Sequence, residues 1–114
     1  MIYKDVLHVQ NRQVNRSASE RLADLFEEVI LGCPCLIEPL DKELAVSFMG
    51  IATESLQVRI FTPPDSTPVI NIGDRVRVTT GRYTGKTFSV QLVKDFSDAP
   101  CPHFEIGGEE VTGV

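Results

Sequence analysis

Tryptophan is absent and aromatic residues make up only 7% of the chain, so a core has to be assembled mainly from aliphatic side chains. Cysteine is scarce and odd in number. Cys33, Cys35 and Cys101 form no disulfide framework and suit a reducing compartment. No apolar run approaches the length of a membrane span, and the opening MIYKDVLHVQ lacks the basic-then-apolar pattern of a signal peptide, so no membrane association is expected. A surplus of base is missing too. The net charge of −5 argues against a protein that wraps nucleic acid tightly, because neutralising phosphates takes excess Lys and Arg. Repeats and low-complexity segments are also lacking.

What is present begins with residues 72–96, IGDRVRVTTGRYTGKTFSVQLVKDF, read as a β-hairpin. Val76 and Val78 alternate with Arg75 and Arg77, and Phe88, Val90 and Leu92 alternate with Ser89 and Gln91. Such period-two alternation describes strands with one buried and one wet face. Gly73-Asp74 turns the chain into the first strand, and Gly81 to Gly85 forms a loop longer than a two-residue turn. A lone hairpin is marginal in water, so other strands have to cover its apolar face.

Those strands are found on either side. Residues 2–10 contain Leu7 and Val9 in one phase and predict a first strand. Residues 11–19 are polar and turn-rich. Ser17-x-x-Glu20 has the form of a capping box, followed by Leu22, Leu25, Phe26 and Val29 at helical spacing. The preferred reading is a short helix to about Glu28 and a strand from about Val29 to Ile37; a twisted strand across Phe26 to Ile37 competes with it. Glu38-Pro39 ends that strand. Residues 41–54, DKELAVSFMGIATE, are apolar enough to pack but show no clean period, and predict a long irregular loop. Leu56, Val58 and Ile60 form the next strand, stopped by Pro63-Pro64. A last strand from Phe104 to about Val111 carries Gly107-Gly108, expected to form a bulge or bend. The 114 residues thus predict one mainly β domain spanning residues 1–114, a small antiparallel barrel or sandwich of five or six strands with a long inserted loop and at most one short helix.

Charge is unevenly distributed. Residues 72–94 sum to +4, residues 95–114 to −5, and the remainder to −4. Arg75, Arg77, Arg82 and Lys86 on one side, with Glu109 and Glu110 on the other, are therefore candidates for contacts between subunits or partners. Cys33-Pro-Cys35 and Cys101-Pro-His103 are the one constellation with ligand chemistry. Structural zinc sites usually place two to four residues between paired cysteines, so buried small side chains and a surface His are the preferred reading, and no metal or cofactor is expected. No oriented base accompanies a nucleophile, and the carboxylates form no pair on a recognisable scaffold, so no catalytic residue is assigned and no enzymatic activity is expected.

Two resemblances bear on function. GDRVRVTTGRYTGKTFSV resembles the KOW element of transcription-elongation and ribosomal proteins through Asp74, Val76, Val78, Gly81 and Gly85. It implies nucleic-acid binding through Arg82, Tyr83 and Lys86. A wider resemblance runs from Cys35 to Glu110. CLIEPLDKE, a long connection, LQVRIFTPPD, INIGDRVRV, FSVQLVKDF and HFEIGGEEV follow the order found in the head-closure, or stopper, proteins of tailed bacteriophages. That resemblance implies a β-barrel subunit of a homo-oligomeric ring of six or twelve copies. Such a ring lies at the virion neck, after assembly in the host cytoplasm, between portal or adaptor proteins and tail-completion or tail-tube proteins. It closes the channel on packaged double-stranded DNA. By the same resemblance the connection at residues 41–54 is the channel gate, with Lys42, Glu43, Ser47, Phe48, Met49, Gly50 and Ile51 near its tip.

Overall fold

A computed structural model describes residues 2–13, 25–64 and 70–112. In chain order its elements are strand β1 (Asp5–Gln13), strand β2 (Leu25–Pro39), helix α1 (Lys42–Met49), strand β3 (Gln57–Thr62), strand β4 (Arg75–Val78), strand β5 (Thr87–Phe96) and strand β6 (His103–Glu110). A short 3-10 turn, Gly81–Tyr83, sits in the β4–β5 loop. Every pairing is antiparallel, and the order β1-β2-β3-β6-β5-β4 closes on itself through β4 and β1. The chain is a six-stranded barrel.

The interior follows from alternation. Leu7 and Val9 of β1, Cys33, Cys35 and Ile37 of β2, Val58 and Ile60 of β3, Val76 and Val78 of β4, Phe88 and Val90 of β5, and Ile106 of β6 all point inward and are buried. Six narrow strands leave room for side chains but not for a channel, and β6 supplies the relief that Phe88 needs. A Cβ on Gly108 would lie 3.1 Å from Phe88 Cβ and 3.4 Å from Val58 Cγ2. The β4–β5 loop crosses one end of the barrel, where Tyr83 is buried and meets Phe88 edge-on at 6.3 Å.

Three sequence expectations need correction. The bulge anticipated at Gly107-Gly108 lies instead in the facing strand. Val90 is opposite Gly108 and Leu92 is opposite Gly107, so Gln91 is the extra residue. One inserted residue reverses the phase of everything after it. Val93 therefore packs on the core, and Leu92, expected inside, is half-buried on the outer wall. Secondly, Leu25 to Glu28 are strand, not helix, paired to Gln13 through Gln10 of β1. A neighbouring ladder satisfies their backbone groups, and tertiary context overrides helical spacing. Ser17, Glu20 and Leu22 lie outside the described residues. Thirdly, the irregular loop at residues 41–54 contains helix α1.

The swap of Leu92 for Val93 yields a measurable contrast. Leu7→Ala, at a fully buried site, is expected to cost about 2–5 kcal/mol of unfolding free energy. Leu92→Ala should cost clearly less in the same urea titration; equal losses would mean that Leu92 belongs to the core.

Candidate functional site

Helix α1 is short but well capped. The Asp41 carboxylate accepts from the Leu44 N–H at 2.9 Å, and Gly50 closes the other end in the left-handed conformation at φ 84°, donating to the Val46 carbonyl at 3.0 Å. Eight residues cannot hold a helix alone, so its persistence depends on the wall beneath. Ala45, Phe48 and Met49, spaced i, i+3 and i+4, form the face that docks. Ala45 is buried, whereas Lys42, Glu43, Leu44, Val46 and Ser47 are exposed.

The seat is built on β3, β6 and β5. A Cβ on Gly107 would lie 3.2 Å from both Met49 Cγ and Cε and 3.1 Å from Leu92 Cβ, so the absent side chain leaves a notch for Met49. The Phe48 ring is faced by the Arg59 guanidinium at 5.3 Å and the Lys94 ammonium at 4.8 Å. Each such contact is worth about 0.5–1 kcal/mol at an exposed site. Arg59 is itself fixed by an ion pair to Glu38 and by Glu105 at 3.9 Å.

Gln57, which alternates with the inward-facing Val58, is buried beneath the connection that follows α1. Its Nε2 donates to the Ile51 carbonyl at 3.0 Å, and its Oε1 accepts from the Thr53 N–H at 2.9 Å. The Thr53 hydroxyl then donates to Glu109 Oε1 at 2.6 Å. Alternation places Gln57 on the outer face; only the tertiary structure shows that this face is covered there.

The charged residues assigned to partners are largely engaged within the chain. Lys86 Nζ donates to Glu110 Oε2 at 2.7 Å, joining the basic hairpin to the acidic terminal strand instead of separating them. Arg75 stacks on Phe26 at 4.0 Å, and Arg77 Nη2 lies 3.2 Å from His8 Nδ1. Arg82 is exposed, 5.5 Å from the Tyr83 ring centre. Of the residues implied for nucleic-acid binding, Tyr83 is buried and cannot stack on a base, and Lys86 already has its carboxylate.

Cys33 and Cys35 are enclosed in the barrel, while Cys101 is exposed on the β5–β6 loop. The two Cys-Pro pairs are therefore not brought together. Among the described residues no group of three or more His, Cys, Asp or Glu has metal-holding geometry. Burial pushes the Cys35 thiol up to about 12, assisted by nearby Cys33 and Asp5. His103 is instead part of an outer-wall cluster, stacked on Phe96 at 5.1 Å and tilted against Phe61 at 5.9 Å.

These residues define a closed antiparallel barrel that carries a capped helix across one outer wall. No family model matches the chain, and no curated protein matches it. Among solved structures, the solution structure of protein SF1141 from Shigella flexneri 2a is similar over 98% of this chain and 96% of that one, with a TM-score of 0.73 and 19% identity. At that identity the likeness shows the fold alone.

Thiol chemistry tests the placement of the cysteines. A water-soluble maleimide is expected to label one thiol per native chain, at Cys101, and three after denaturation. Rapid native labelling of Cys33 or Cys35 would contradict their enclosure.

Proposed function

We propose that the chain is a structural subunit of the head–tail connector ring of a tailed bacteriophage, closing the DNA channel after packaging and presenting a docking surface to the tail. The observation that carries this reading is the insert between β2 and β3. A barrel whose β2 and β3 pair directly does not need a capped helix for closure, and the insert leaves Leu44, Val46 and Ile51 exposed at 44%, 53% and 62%. Its position matches that of the gate in the stopper resemblance.

The geometry changes which residues act in that role. Phe48 and Met49 are the docking face of α1, so Lys42, Glu43, Leu44, Val46 and Ser47 are the ones directed toward the DNA or neighbouring subunits in the virion neck. The nucleic-acid-binding alternative has lost its stacking residue, Tyr83, and has no observation in its favour.

Replacing Lys42 to Met49 with a Gly-Ser linker of equal length tests the assignment. The expected product is a soluble barrel that still enters rings with portal and tail components under electron microscopy. Particles carrying it should lose packaged DNA. Full DNA retention and normal infectivity would refute the gating role, and a chain that forms no ring with those components would refute the connector assignment.

A further inference from the structure

The hydrogen-bond arrangement around His103 demands a particular protonation state. Its Nδ1 lies 2.7 Å from the carbonyl oxygen of Cys101, and its Nε2 lies 2.7 Å from Glu105 Oε2. A carbonyl oxygen only accepts, and so does an ionised carboxylate, so both ring nitrogens have to donate. Neutral imidazole has one N–H. The other nitrogen would then direct its lone pair at an acceptor, and one of the two bonds would become a repulsion. We propose that His103 is a proton-operated clasp: as the imidazolium it ties the β5–β6 loop, residues 97–102, to the outer wall, and on losing its proton it lets that loop go.

The surroundings favour the charged ring. Glu105 lies between His103 and Arg59, with Oε2 on the imidazole and Oε1 3.9 Å from Arg59 Nη1. Arg59 on β3 is in turn paired to Glu38 on β2. On β5, Lys94 is in register with Glu105 and directs its ammonium to Phe48. Phe96 offers the imidazolium its ring face and Phe61 tilts against it, with the His103 side chain 14% exposed. The Glu105 hydrogen bond, then the Cys101 carbonyl, raises the His103 pKa above its ordinary value, while partial burial opposes them.

Among the described residues, two further hydrogen bonds hold the loop. The Ser97 N–H donates to Asp95 Oδ1 at 2.8 Å, and the Ala99 N–H donates to the Phe96 carbonyl at 3.1 Å. Both lie at the β5 end. Hydrogen bonding from Ser97 holds the Asp95 carboxyl below its usual range, so that anchor stays ionised through neutral pH. At the β6 end the Cys101 carbonyl depends on His103. The sign follows from the raised pKa. The clasp's contribution is complete below the ordinary histidine value of about 6.5 and is lost as pH rises through the elevated folded value.

An NMR titration of the 15N-labelled full chain tests this, following the His103 ring together with the amides of Ser97, Asp98, Ala99 and Cys101. The ring midpoint is expected above the ordinary value, with loop amides shifting and losing their heteronuclear NOE at the same midpoint. In Glu105→Gln both midpoints should fall together. In His103→Gln, which keeps one donor but cannot titrate, the loop transition should vanish. Loop amides that ignore the ring midpoint, a transition that survives His103→Gln, or an ordinary His103 midpoint would each overturn the proposal.

Discussion

The pairing of β1 with β4 turns an open sheet into a barrel, and the other features described here depend on it. Leu7 faces Val78 and Val9 faces Val76 across that seam, and all four side chains are fully buried. With the seam made, each strand has a neighbour on both sides within the barrel, while residues 25–35 of β2 and 11–13 of β1 run on as a ribbon paired only to each other's strand. The enclosed space is then finite, and its filling has to match its width. Aliphatic residues and two cysteines fill most of it, with Phe88 as the largest fully buried side chain. At the loop end a Cβ on Gly81 would collide with the Asp5 carboxylate, and its φ of 78° already suits glycine. The basic hairpin loop can therefore lie close over the barrel mouth and bring Tyr83 in as a plug.

Two adjacent glycines on β6 serve opposite faces of the same wall. Gly108 makes room inside for Phe88, and Gly107 makes room outside for Met49. Both functions need only the absence of a Cβ, which is why neighbouring positions can supply them on a strand whose side chains alternate in direction. The bulge at Gln91 completes the arrangement. By turning Leu92 outward it gives the seat of α1 an apolar floor, and by turning Val93 inward it keeps the core filled. The wall that holds the helix is thus specified by the same residues that close the barrel behind it.

The hairpin strands, β3 and the last strand were legible because a one-sided wet face imposes period two on the sequence. Helix α1 was not, although its caps are written plainly as Asp41 and Gly50. Its docking face is only Ala45, Phe48 and Met49, and the exposed Leu44 and Val46 fill in the pattern until no period remains. The same exposed residues that hid the helix give the insert its apolar outer surface. Leu92 was misread for a related reason. Alternation was extended through a bulge that no residue of β5 announces, since the glycines associated with it lie across the ladder on β6. Segment charge misled differently. A basic stretch and an acidic stretch look like opposite poles in the sequence, but β6 pairs with β5, so Lys86 meets Glu110 in the same chain.

That last point constrains any assembly the chain enters. The part-buried Lys86–Glu110 pair engages both groups within the chain, which weakens them as long-range attractors. Among the described residues the other exposed charges are spread over the surface, with Lys4, Arg82 and Lys42 against Asp41, Glu43, Glu54, Asp95 and Asp98. The closed part of the barrel offers no sheet edge, although residues 25–35 of β2 pair with β1 alone among the described strands. Helix α1 adds an apolar surface seated on a rigid wall, with Leu44 and Val46 held outward by the docking of Phe48 and Met49 beneath them. Such a surface gains little from a single neighbour, given how small it is. In the proposed ring, where each copy would contact two others, the same modest contact would be counted at every interface, and closure of the ring would remove the free ends that otherwise favour dissociation.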